Sequence, residues 1–119
     1  MKKELGKLPK VFKEKWVAAL RSGEFKQGRG KLCNMTDNTF CCLGVACIVA
    51  GIGPKGINGY TIAKTAKYRK VPDLIKGKQT AGSFKNVNLV SKLVYMNDGE
   101  CGIRKKGFKG IATWIEKNL

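Results

Sequence analysis

Phe40-Cys41-Cys42-Leu43-Gly44-Val45-Ala46-Cys47-Ile48-Val49-Ala50 decides the architecture of this 119-residue chain. The stretch carries no charge and is apolar on every face, as expected of an element surrounded by others. Its 11 residues fall well short of the roughly 20 that a bilayer-spanning helix needs. Small side chains at Gly44, Ala46, Cys47 and Ala50, with Gly51 following, predict a buried central helix with close neighbours. No Lys or Arg occurs from Leu32 through Pro54, so the positive charge of the chain lies on either side of a neutral core.

Outward from this centre, Leu8 to Ser22 reads as a first helix, with Pro9 at its first position and Gly23 just past its end. Phe12, Trp16, Ala19 and Leu20 recur at helical spacing, and Val17 widens the stripe. Asn88 to Met96 reads as a further helix with Leu89, Leu93 and Met96 on one face; Asn86 or Asn88 is its expected cap. It runs into Asn97-Asp98-Gly99, which reads as a turn. Gly107 to Asn118 completes the set, turning Phe108, Ile111, Ala112, Ile115 and Leu119 inward, with Trp114 as a packing residue. Asn58-Gly59 between Ile57 and Tyr60 predicts a hairpin in the middle of the chain. The expected fold class is α+β: a single domain over residues 1–119, with three to four helices around an apolar centre and a small antiparallel β element. Residues 1–7 are expected to form a flexible basic N-terminus.

The 24 Lys and Arg residues outnumber the 8 Asp and Glu, giving a net charge of +16. Self-repulsion on that scale is a standing cost of the compact state, and an anionic partner relieves it. Nucleic acid, a nucleotide, an acidic protein and an anionic membrane surface all qualify, and a solvated lysine-rich surface is the bland alternative. Histidine is absent, which excludes His-based triads and imidazole proton shuttles. Cys33, Cys41, Cys42, Cys47 and Cys101 lack the paired spacing of a four-thiolate zinc site and read as buried reduced thiols. No cofactor or metal is expected. The basic start, Met1 to Lys7, leads into no apolar run of the secretory kind, so a cytoplasmic protein without membrane contact is expected.

Glu24-Phe25-Lys26-Gln27-Gly28-Arg29-Gly30-Lys31-Leu32 is the best anion-site candidate, because glycines let backbone N–H groups approach an anion while Arg29, Lys26 and Lys31 supply charge. It lacks the Walker spacing. Gly51-Ile52-Gly53-Pro54-Lys55-Gly56 matches the letters of a dinucleotide fingerprint, but Asn58-Gly59 leaves no room for the helix that such a site requires. Residues 55–78 hold seven cations and one acid, interleaved with Tyr60 and Tyr68; nucleic-acid contact and a solvated sheet edge fit them equally. Asn97 is an ordinary turn residue or a reader of a base or ribose, since one carboxamide both donates and accepts. Arg104-Lys105-Lys106 precedes the last helix, whose first N–H groups favour anions.

Trp16 through Gly30, Phe40-Cys41-Cys42-Leu43-Gly44-Val45, Met96-Asn97-Asp98 and Phe108 through Glu116 resemble a family of small phage and bacterial proteins. Among characterised groups the chain is similar to the first type of Thoeris anti-defence protein, whose members form oligomers that sequester cyclic ADP-ribose-type signals without cleaving them; some also hold cyclic oligonucleotides. The resemblance implies an aromatic residue on the first helix, arginines on the ligand phosphates and an asparagine on the base, roles that fall to Trp16, Arg29 and Asn97, with Arg104 a looser match. The lysine-rich middle departs from that pattern. The candidate ligand-binding residues are therefore Trp16, Arg21, Lys26, Gln27 and Arg29, with Lys31, Asn97, Asp98 and Arg104. The leading expectation is a non-catalytic, homo-oligomeric protein that sequesters an anionic nucleotide. The alternative is a basic nucleic-acid-binding protein or an inhibitor of a nucleic-acid-guided defence complex. An enzyme such as a cyclic-nucleotide hydrolase ranks third, because its eight acids are unpaired and any thiol nucleophile lacks a histidine base.

Overall fold

The computed structural model describes residues 8–29, 31–53, 57, 87–99 and 102–119. Among them are four helices and a three-stranded sheet: α1 (Lys10–Arg21), β1 (Lys26–Gln27), β2 (Cys33–Asn34), β3 (Thr39–Phe40), α2 (Cys42–Val49), α3 (Val87–Asp98) and α4 (Phe108–Asn118). The fold is α+β. The Asn58–Gly59 hairpin, the glycine pattern beyond Gly53, residues 1–7, Cys101 and the lysines of 55–78 lie outside the described residues.

The neutral stretch is the centre that its composition predicts. Cys42 through Cys47 are all buried, and α1, α3 and β3 pack around them. The helix is shorter than residues 40–50, however, because Phe40 belongs to β3 and Cys41 is the N-cap, its Sγ accepting from Gly44 N at 3.4 Å. At the far end Gly51 N reaches Ile48 O at 2.9 Å and Ile52 N reaches Cys47 O at 3.0 Å, a Schellman closure. Gly51 adopts φ +99°, the left-handed conformation that this closure needs. A helix thus precedes Gly51 where a dinucleotide fingerprint requires a strand.

Gly44 is required for another reason. The Leu32 carbonyl lies so close to it that an added Cβ would collide with the oxygen and stand 2.8 Å from the carbonyl carbon. That same carbonyl accepts from Cys41 N at 3.1 Å, so it is held in place and cannot yield to a methyl group. Gly44→Ala is therefore expected to destabilise the fold by about 3 kcal/mol, the upper range for overpacking a rigid site. Urea titration checks this; a loss below about 0.5 kcal/mol would show that the chain at Leu32 can move aside.

The sheet has the order β1-β3-β2, with β2–β3 antiparallel and β1–β3 parallel. It lies within residues 26–40, where the sequence reading placed no strand, and it is mixed: beside the expected antiparallel pairing, one of its two pairings is parallel. The signal was weak because each strand has only two residues, too few for a period of two to show. Asn34 Oδ1 accepts from Thr36 N at 3.0 Å, and Asn38 takes φ +59°, so two asparagines build the four-residue β2–β3 connection. Phe25 and Phe40 pack edge to face beneath it, with centroids 5.3 Å apart.

α1 packs mainly on α4 and then on α2, burying Trp16, Val17 and Leu20. Pro9 is its N-cap rather than its first helical residue, and Leu8 N donates to Leu119 O at 3.0 Å, tying this end to the end of α4. Phe108, Ile111, Ala112, Ile115 and Leu119 face inward as their spacing predicts. Trp114 is half-buried against this core, with Lys92 Nζ 5.6 Å from its ring centroid. The third helix is longer than its apolar period implied. Asn88 lies inside it, and Asn97 and Asp98 form its last turn rather than a separate loop, with Gly99 N closing on Tyr95 O at 2.7 Å.

Candidate functional site

Asn97 organises a place where two of the basic segments of the sequence meet. It is fully buried, and its carboxamide is saturated. Nδ2 donates to Gly28 O and to Asp98 Oδ1, both at 2.8 Å. Oδ1 accepts from Cys42 N at 3.1 Å and from Gln27 Nε2 at 3.0 Å. The Cys42 N–H is the first of α2, so a side chain of α3 caps α2 from across the core. Asp98 is buried beside it. An amide with both hydrogens and both lone pairs engaged has nothing left to offer a base or a ribose. The ligand-reading role for Asn97 is corrected to a structural one.

Gln27 carries this network outward. Its Nε2 also donates to Lys106 O at 2.9 Å, joining residues that lie 79 positions apart in sequence. Lys106 N in turn donates to Met96 O at 2.7 Å, and Lys105 lies against Gly99, so the chain before α4 folds over the end of α3. Two basic stretches of the chain are thereby brought together around one contact, where their cations can form one basic face. Arg29, two residues beyond Gln27, comes to one side of the contact, and Arg104, Lys105 and Lys106 come to the other, all of them exposed. Lys109 adds a further exposed cation in the first turn of α4. That turn has Gly107 as N-cap, no side-chain cap and no acidic residue, so its N–H groups add positive potential to the face. Lys26 is exposed at the start of β1, one residue out of phase with Gln27, and Lys31 is half-buried where the chain leaves the face for β2. Lys105 and Lys106 were outside the candidate set; three consecutive cations before a glycine-started helix were their signal.

Two other candidates sit elsewhere. Trp16 is wholly buried, and its Nε1 donates to Cys42 O at 3.0 Å, so no ligand can stack on it. Of the two roles open to it from sequence, the core anchor is the one observed. Arg21 is engaged by Glu116 at 2.7 Å and Thr113 at 3.2 Å. It lines a groove of about 470 Å³ between α1 and α4, together with Lys10, Lys13, Glu14, Val17 and Ala18. The Arg21–Glu116 pair is exposed on both sides, and it holds the Glu116 carboxyl below its usual range mainly through the hydrogen bond.

Cys33, Cys41, Cys42 and Cys47 are buried free thiols. Burial pushes Cys41 up to about 11 and Cys47 up to about 12, and raises Cys42 well above its ordinary value and Cys33 above its own. The negative charge of Asp98 adds to the shift at Cys41 and Cys42. At neutral pH these thiols are protonated, the unreactive form. Among the described residues no helix is long and apolar enough to cross a membrane.

Residues 8–51 match the model of a family described as a domain of unknown function (DUF8296). The match spans α1, the sheet and α2, and so takes in Trp16, Gln27, Arg29 and Gly44 but neither Asn97 nor the Arg104–Lys106 strip. No curated protein and no solved structure matches the chain.

Proposed function

We propose that this protein captures a phosphorylated nucleotide signal, of the cyclic ADP-ribose or cyclic oligonucleotide kind, and holds it unchanged in the host cytoplasm as a phage-type anti-defence protein. The observation that carries the reading is the hydrogen bond from Gln27 to Lys106, which joins the segment bearing Arg29 to the Arg104–Lys106 strip. Arginine forks beside lysine point charges suit phosphate oxygens, and charge-assisted bonds are the strong ones. The protonated thiols support capture over conversion. Tight sequestration needs an enclosed ligand, so symmetric association that closes one face against another is part of the proposal.

Arg29→Ala tests the reading. Loss of one charge-assisted contact is expected to weaken nucleotide binding by about 10- to 100-fold, while an exposed position should leave stability within about 0.5 kcal/mol. Native mass spectrometry of protein from defence-active cells, with calorimetry on the retained nucleotide, measures both stoichiometry and affinity. Full-strength binding by the variant would remove this face from the site.

A second reading has its own support. The cations of the face are exposed, an arrangement that also suits the backbone of a nucleic acid. That reading predicts a steep fall of affinity with salt, spread over many lysines, because each phosphate contact releases counterions. A nucleotide captured at fixed stoichiometry would show a shallower slope.

A further inference from the structure

We infer that Gln27 is a positioning residue: its carboxamide locks the Arg29 side and the Arg104–Lys106 side into one anion-binding face, so that a single polyphosphate is gripped from both. The inference rests on the proposed phosphate-binding reading and adds to it the device that makes the two strips act together.

Three observations support it. Gln27 Nε2 spends its two hydrogens on Asn97 Oδ1 at 3.0 Å and Lys106 O at 2.9 Å, one partner in the saturated core network and one in the basic strip. The side chain is half-buried, so its bond to Asn97 Oδ1 is partly shielded from competing water, while the bond to Lys106 O lies at the surface. The strip has a second anchor, Lys106 N to Met96 O, on the helix that supplies Asn97, and Gln27 adds the direct bond between β1 and the strip. Without the amide, the two sides are still linked through α3, whose Asn97 Nδ2 holds Gly28 O at 2.8 Å and whose Met96 O holds Lys106 N at 2.7 Å, but the direct bond from β1 to the strip is gone. A charged ligand gains from two cationic arms only if their spacing is set before it arrives, since ordering them on binding costs affinity.

The distinguishing feature is that the effect involves no charge. Gln27→Met keeps nearly the same volume, the net charge of +16 and every cation of the face. General attraction to anions is therefore unchanged, whereas preorganisation is reduced. Inorganic tripolyphosphate, titrated calorimetrically at fixed ionic strength, is the probe. For folded Gln27→Met, confirmed by circular dichroism, the expected result is an affinity about tenfold below the unsubstituted protein, with the long-range salt dependence retained. Arg104→Ala should weaken binding severalfold in the unsubstituted protein and less than about twofold in the Gln27→Met background. Unchanged affinity in Gln27→Met, or an equal Arg104→Ala effect in both backgrounds, overturns the inference and leaves phosphate binding standing. Absence of tripolyphosphate binding by the unsubstituted protein overturns both.

A cycle on exposed residues alone gives the same answer independently of how Gln27→Met folds. Arg29→Ala and Arg104→Ala together are expected to cost at least about threefold less than the product of the single losses, because one arm cannot grip after the other is gone. Losses that simply multiply would show that the two strips bind separately, and the inference would fall.

Discussion

Asn97→Asp is expected to cost about 4 kcal/mol or more at neutral pH, enough to unfold a domain of ordinary stability. The exchange is nearly isosteric, so the loss is not one of packing. It turns two donors into acceptors that face Gly28 O and Asp98 Oδ1, each 2.8 Å from the present nitrogen. Two carboxylates about 3 Å apart repel by about 5 kcal/mol even at an effective dielectric constant near 20. The pair would escape by keeping one proton, which raises its folded-state pKa above the unfolded value. Such a raised carboxyl destabilises the fold above its folded pKa and ceases to do so as pH falls below the unfolded one. The deficit should therefore shrink between about pH 7 and pH 4. Urea melts of both proteins at the two pH values measure it. A deficit under about 1 kcal/mol, independent of pH, would mean that the carboxamide is not fully engaged as described.

Trp16→Ala should be of similar size, about 4 kcal/mol, because it removes the largest of the wholly buried side chains and the indole bond to Cys42 O, leaving that carbonyl its bond within α2. Trp16→Phe separates the two causes, retaining most of the packing and losing the hydrogen bond, for about 1–2 kcal/mol. Cys42 has its N–H held by Asn97 and its C=O held by Trp16, so one residue of α2 is gripped from α3 and from α1. The two substitutions are then expected to be non-additive, since either one loosens the residue that the other depends on. A ligand-stacking Trp16 would behave differently: Trp16→Ala would lose nucleotide binding with stability nearly intact. Thermal melts with and without ligand separate these outcomes.

Much of the helical architecture was legible because its causes are local. The charge-free 40–50 stretch could only be interior, the spacing of Phe108, Ile111, Ala112 and Ile115 could only be one helix face, and Gly51 could only end a helix in the left-handed conformation. The site was legible in part. Lys26 through Lys31 and the Arg104–Lys106 run each stood out by charge, and Gln27 was in the candidate set, but nothing in either run stated that the two were neighbours.

The sequence by itself therefore determined a buried neutral helix, an amphipathic helix at each end of the described chain, and a strong positive charge divided to either side of the core. Tertiary structure alone decided that Asn97, in the last turn of α3, caps α2, that the Trp16 indole bonds Cys42, and that Gln27 reaches Lys106. The physical reason is the same in each case. An amide or indole N–H bonds whatever partner the fold brings within about 3 Å, and no periodicity in the chain encodes a partner tens of residues away.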